Sequence, residues 1–114
     1  MAKRQPVSTS EEKETCVLIG LATQNQKREQ LEEYLEELAF LVVTANAISK
    51  KTFIQSLTKP DSKTFIGSGK LLEIRDYVKA EGIDMIVFDD ELSGSQIRNI
   101  EKEIEGVKII DRPN

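Results

Sequence analysis

Four short apolar runs alternate with three stretches whose hydrophobic residues recur every three or four positions, and this alternation leaves very few possible folds. The first run, Cys16-Val17-Leu18-Ile19-Gly20-Leu21, is too short for a helix and apolar throughout, as a strand buried on both faces must be. Behind it Leu31, Tyr34, Leu35, Leu38, Leu41 and Val42 fall at spacings of three and four, with Glu32, Glu33, Glu36 and Glu37 between them. That pattern marks an amphipathic helix. Thr23-Gln24-Asn25-Gln26 has the threonine-to-glutamine spacing of a capping box and predicts the start of this helix. Asn46 predicts its end, because asparagine tolerates the left-handed conformation that stops helices.

The pattern then repeats. A second strand is expected over residues 47–57, followed by a turn at Lys59-Pro60-Asp61-Ser62. Thr64-Phe65-Ile66 reads as a short extended piece leading into Gly67-Ser68-Gly69-Lys70. Leu71, Ile74 and Val78 form the buried face of a second helix, with Gly82 just past its end. Asp84 to Phe88 is the third strand. Ser93 and Gln96 repeat the capping-box spacing, Ile97, Ile100 and Ile104 mark a third helix, Gly106 stops it, and Val107 to Ile110 is the fourth strand.

The order β-α-β-α-β-α-β implies an α/β fold: a four-stranded parallel sheet with helices on both faces and right-handed crossovers. The expected strand order is 2-1-3-4, half of a flavodoxin-like sheet, with its switch point between the first and third strands. Residues 1–14, polar and containing Pro6, are expected to be a disordered leader to an ordered domain over 15–112.

Composition narrows the chemistry. With 114 residues the chain fits one domain. There is no histidine, which removes the commonest neutral-pH acid/base and the commonest transition-metal ligand. The single cysteine, Cys16, cannot form an internal disulfide and lies inside an apolar run, so it reads as a small core residue in a reducing compartment. No apolar run approaches the ~20 residues that a bilayer requires, and the N-terminus lacks a signal-peptide core. The expectation is a cytoplasmic protein without stable membrane insertion.

Three clusters are candidates for function. Gly67, Ser68, Gly69 and Lys70 open a helix, where free backbone N–H groups and the helix dipole favour a phosphate. The segment is not a Walker A loop, because Thr64 stands where that motif needs glycine and Leu71 where it needs serine or threonine. A tight strand-to-helix turn that needs flexible backbone is the preferred account of it. Asp89-Asp90-Glu91 closes the third strand at the sheet edge where open α/β sheets bind ligands, and Asp89 and Asp90 are weak candidates for Mg²⁺. Without a nucleophile or histidine, no catalytic residue is assigned. Finally, residues 50–70 hold Lys50, Lys51, Lys59, Lys63 and Lys70 against Asp61 alone, a balance of +4 in a chain of net charge -4. A lysine-bearing loop of this kind suits RNA phosphates, with Arg98 a further candidate.

Several of these stretches together resemble one family. Thr64-Phe65-Ile66-Gly67-Ser68-Gly69-Lys70 is similar to the aromatic-hydrophobic-Gly-x-Gly-Lys segment of HflX-type GTPases. Asp89-Asp90-Glu91-Leu92-Ser93-Gly94-Ser95-Gln96-Ile97-Arg98-Asn99-Ile100-Glu101 resembles that family's acidic turn and following helix, and Ile109-Ile110-Asp111-Arg112 its closing segment. The resemblance implies an N-terminal α/β domain, normally followed by a helical linker and a Ras-like GTPase domain. It further implies binding to ribosomal RNA of the large ribosomal subunit. ATP binding has also been credited to such domains. On this reading the chain is not itself an enzyme and needs no cofactor. GTP and Mg²⁺ belong to the GTPase domain, which is absent from this stretch and would be its second partner. Pro113 departs from the family's expected threonine. Three readings follow: a ribosome-docking and regulatory domain, an accessory nucleotide-binding domain, or a structural domain that restrains the GTPase. Gln96 and Arg98 serve either to anchor neighbouring loops or to touch RNA.

Overall fold

The computed structural model describes residues 13–24 and 27–112. Its elements run β1 (Glu14–Ala22), α1 (Arg28–Thr44), β2 (Ala47–Ser56), α2 (Ser68–Glu81), β3 (Met85–Phe88), α3 (Gly94–Glu103) and β4 (Lys108–Ile110). All strand pairs are parallel and the sheet order is β2-β1-β3-β4, as the alternation predicts. β1 begins at Glu14, next to the expected boundary at residue 15; residues 1–12 of the expected leader lie outside the described residues.

β1 is buried on both sides because it lies inside the sheet. Cys16, Leu18 and Ala22 face α1, packing with Leu31, Leu35 and Val42. Val17, Ile19 and Leu21 face the other way and pack with Leu71, Ile74 and Val78 of α2 and Ile100 of α3. Gly20 sets the closeness of α1: a Cβ there would lie 2.7 Å from a Leu35 methyl. A register shift opposite Cys16 and Val17 leaves Lys50 as the extra residue on β2.

Two local expectations need correction. The capping box expected at Thr23 does not start α1. The helix begins at Arg28 with Lys27 as N-cap and no side-chain cap, and its first turn closes through Leu31 N–H to Lys27 O at 3.0 Å. Asn25 and Gln26 lie outside the described residues. The expected extended piece at Thr64–Ile66 is instead a tight turn in which Phe65 is left-handed, with φ of 69°. This places its ring edge-on against Phe88, 5.9 Å between centroids, while the backbone turns into α2. The other stops hold: Asn46 and Gly82 both adopt positive φ, and Ser93 with Gln96 forms a complete capping box.

Candidate nucleic-acid interface

The segment between β2 and α2 carries Lys59 and Lys63, and side chains distant in sequence brace it. Asp61 exchanges two backbone hydrogen bonds with Phe65, at 3.0 and 2.9 Å. Its carboxylate also accepts from Lys63 N–H at 2.7 Å and Thr64 N–H at 3.1 Å. These two backbone donors hold the Asp61 carboxyl below the usual carboxylate range. From α3, Gln96 donates to Asp61 O at 2.7 Å, and Asn99 donates to Lys63 O at 2.9 Å. Gln96 thus does two jobs, since its Oε1 also accepts from Ser93 N–H at 2.9 Å to complete the helix cap. The backbone from Asp61 to Phe65 is held by fixed partners, so Lys63 is presented from a rigid frame and Lys59 from the chain that leads into it.

The six cationic candidates do not form one patch. Lys59 and Lys63 are exposed on the braced loop, whereas Arg98 is exposed on α3 two positions past Gln96, on another side of the helix from the bracing amides. Lys70 lies in the first turn of α2 and is half committed: its ammonium pairs with Glu73 at 3.2 Å. Lys51 sits over the rings of Phe53 and Tyr77, at 4.9 and 5.0 Å, and so packs against the core edge. Lys50 and Lys51 stand five or more residues before the end of β2, roughly 17 Å down the strand at ~3.3 Å per residue. That exceeds the ~8 Å screening length of physiological salt, so the pair acts separately from the loop.

The Gly67–Lys70 turn is already partly occupied. Gln55 Oε1 accepts from Gly67 N–H at 2.8 Å, and a Cβ on residue 67 would lie 3.0 Å from the Gln55 amide nitrogen. A phosphate that used the Gly67 N–H would have to displace the carboxamide, whereas the N–H groups of the first turn of α2 are not taken by Gln55. Gly67 therefore has a packing reason of its own, while Ser68 and Gly69 remain exposed at the helix start. Sequence reasoning missed Gln55, which sits twelve positions away on a strand and carries no motif signal.

At the end of β3 the acidic turn is folded inward. Asp89 is 3% exposed, and its Oδ1 accepts from the Arg112 guanidinium. Arg112 N–H donates to Asp90 O at 3.1 Å, and Asp111 accepts from Leu92 N–H at 2.9 Å. Burial, and secondarily the neighbouring Asp89 charge, push the Asp90 carboxyl up to about 6 against the opposing pull of Arg112. Asp89 Oδ2 and Asp90 Oδ2 are buried without a hydrogen-bond partner. For Mg²⁺, which keeps several of its waters and is held by one or two carboxylates, these two oxygens would form only a partial set, beside the Arg112 charge that already pairs with Asp89. Among the described residues no group of three or more acidic, cysteine or histidine side chains is placed to hold a metal ion. Arg112, read in the sequence only as part of a closing segment, is the residue that ties this turn to the chain's exit from β4.

Fold and edge together define an open parallel α/β domain that presents a braced basic loop beside an inward-folded acidic turn. Comparison with known proteins makes this specific. The family described as GTP-binding GTPase N-terminal matches residues 32–114. The GTPase HflX of Flavobacterium psychrophilum is 50% identical over 99 residues, covering 87% of this chain and 24% of that protein. The GTPase HflX of Escherichia coli is 36% identical over 100 residues, covering 87% and 22%. Among solved structures, the SsGBP–GDP complex superposes with a TM-score of 0.65 at 23% identity, covering 86% of this chain and 26% of that one, which is a likeness of fold. The chain belongs to the HflX GTPase family, as its N-terminal domain. It spans about a quarter of the length of the curated relatives it matches.

Proposed function

We propose that this domain docks an HflX-type GTPase on the large ribosomal subunit and regulates it, without catalysis of its own. The observation that carries the reading is the braced loop. Gln96 and Asn99, both at positions of the family-like motif, spend their amides on Asp61 O and Lys63 O and so hold Lys59 and Lys63 outward. A loop backbone already fixed costs no further ordering when its lysines meet phosphates, although each lysine side chain still gives up rotamer freedom. Lys59, Lys63 and Arg98 supply the main contacts, Lys70 adds to them after leaving Glu73, and Lys50 with Lys51 form an outlying pair. GTP and Mg²⁺ belong to the remainder of the protein, and the working location is the cytoplasm. Among the described residues no helix is long and apolar enough to cross a membrane.

Co-sedimentation with purified large subunits across a salt series tests this reading. Binding should weaken steeply with salt, and reversal of Lys59 and Lys63 should abolish most of it. Salt-independent binding, or binding that survives the reversal, contradicts it.

One observation favours a second reading, accessory nucleotide binding. A cleft of about 460 Å³ lies over the ends of β1 and β2, with Lys27, Arg28, Thr23, Ser56 and Thr58 in its lining. It stands apart from Asp89 and from the Gly67–Lys70 turn, so an ATP there would not use the residues singled out in the sequence. Calorimetric titration with ATP-Mg²⁺ that gives no heat at millimolar ligand removes this reading.

A further inference from the structure

β2 closes the sheet at one end, with β1 on its inner side and no strand among the described residues on its outer side. Leu57 N–H donates to Ala22 O at 3.0 Å, so Phe53, Gln55 and Leu57 turn their backbone groups towards β1. Alternation along the strand then aims the N–H and C=O groups of Thr52, Ile54 and Ser56 outwards. The two halves of this edge differ. The first half is blunted by the bulge at Lys50 and by the charges of Lys50 and Lys51, which discourage strand addition. The second half, Thr52 to Ser56, pairs regularly with β1, carries no charge and contains Thr52, Phe53 and Ile54, all suited to strands. A groove of about 290 Å³ runs beside it, between the edge and α1, lined by Glu32, Leu35, Glu36, Ala39, Thr52 and Ile54. Thr52 and Ile54 thus offer side chains to the groove and backbone groups to the open edge.

We infer that this half of the edge is a docking site for an extended peptide that joins the sheet as a further strand beside β2 and carries lysine or arginine at alternate positions. Backbone bonding to Thr52, Ile54 and Ser56 supplies affinity that is indifferent to sequence, and the groove selects the side chains. Every second side chain of an added strand points to the α1 face and enters the groove. Leu35, Ala39 and Ile54 suit the aliphatic stem of a lysine or arginine. Glu32 and Glu36, one helical turn apart and exposed, meet its charged head. Arg28 pairs with Glu32 at 3.5 Å in solvent, a contact weak enough to yield to a partner. The same two glutamates disfavour other occupants. A second copy joined antiparallel about a two-fold axis sets the two acidic rims face to face, and nucleic acid meets their repulsion. The inference is independent of the ribosome reading, whose main lysines lie on the loop beyond β2.

Amide hydrogen exchange of the chain tests it, with and without an end-blocked octapeptide of alternating lysine and valine at millimolar concentration. The peptide should slow the outward amides of Thr52, Ile54 and Ser56 about tenfold or more. Phe53 and Gln55, whose backbone groups already face β1, should change by less than about twofold. A peptide with glutamate in place of lysine should protect the outward amides less than about threefold. No protection by the lysine peptide, or equal protection by both peptides, overturns the inference. So does protection that is present without peptide and lost on dilution, which assigns the edge to a second copy. Glu32→Lys with Glu36→Lys supplies an independent arm, because both side chains are exposed and their reversal leaves the core intact. This double variant should bind the lysine peptide about tenfold more weakly than the parent, and unchanged affinity overturns the inference.

Discussion

Two turns at the same edge of the sheet treat their charges in opposite ways. The loop after β2 buries its backbone bonding and Phe65 but leaves Lys59 and Lys63 in solvent. The turn after β3 does the reverse: it draws Asp89 to 3% exposure, desolvates Asp90 and uses Arg112 as internal counter-charge. The basic charges are therefore available to a partner, whereas the acidic ones are largely consumed by the fold. Charge clustering in a sequence does not distinguish these cases, because whether a side chain points outward depends on what braces the turn from elsewhere.

The contrast can be broken most severely at Arg112. Arg112→Ala leaves the Asp89 carboxylate, 2% exposed in its side chain, without its cation. Breaking a buried pair from one side costs about 3–5 kcal/mol, and the partial exposure of Arg112 places the expected loss near the lower end. Chemical denaturation of the variant measures it, and a loss below about 1 kcal/mol would mean that the pair does not hold the turn. Next in size is Gln96→Ala, which removes half of a capping box and the bond to Asp61 O together. About 2 kcal/mol of stability should go, from one cap and one buried-acceptor bond. Amide exchange should also rise at Lys63 and Thr64, whereas a purely helical role for Gln96 would leave those amides unchanged.

A smaller effect separates the two turns by pH. The Asp90 carboxyl is raised to about 6, so the folded state holds a proton that the unfolded chain has released. Its contribution is fully present below the unfolded value near 4 and is lost as pH rises through about 6. A fall on the order of 1 kcal/mol between these limits is expected after allowance for solvent screening at a half-buried group. Asp90→Asn should flatten that part of the stability profile. A slope unchanged by the substitution would assign it to another group. Asp61 behaves oppositely: its lowered carboxyl stabilises above the ordinary carboxylate range and loses this as pH falls through its folded value. The smallest stability change is expected for Lys59→Glu with Lys63→Glu, within about 0.5 kcal/mol, because both side chains are exposed.

Much of the fold was legible because burial leaves a periodic trace. Val17, Ile19 and Leu21 against Cys16, Leu18 and Ala22 show how a strand inside the sheet must be apolar on both faces, and Leu71, Ile74 and Val78 mark a helix facing it. Ser93 and Gln96 were readable because a capping box is local. Leu41 was misread: its spacing places it with the buried residues of α1, yet it is 58% exposed, since periodicity reports a helix's apolar face and not whether anything covers it. Thr23 was misread because a capping spacing recurs by chance in polar loops, and the helix starts at Arg28. The site was less legible than the fold. The bonds that define it join Gln55 to Gly67, Gln96 to Asp61, Asn99 to Lys63 and Arg112 to Asp89, and none of these pairs leaves a spacing signature.

The most direct test of the outward basic loop is pelleting of large ribosomal subunits with this domain, parent and Lys59→Glu, Lys63→Glu variant side by side, from about 50 to 200 mM salt. Outward, uncommitted lysines predict parent binding that falls at least tenfold over this range. The variant should remain folded and lose at least tenfold in affinity at the lowest salt. Equal binding by parent and variant, or no binding by either at low salt, would contradict the account and place ribosome affinity in the rest of the protein.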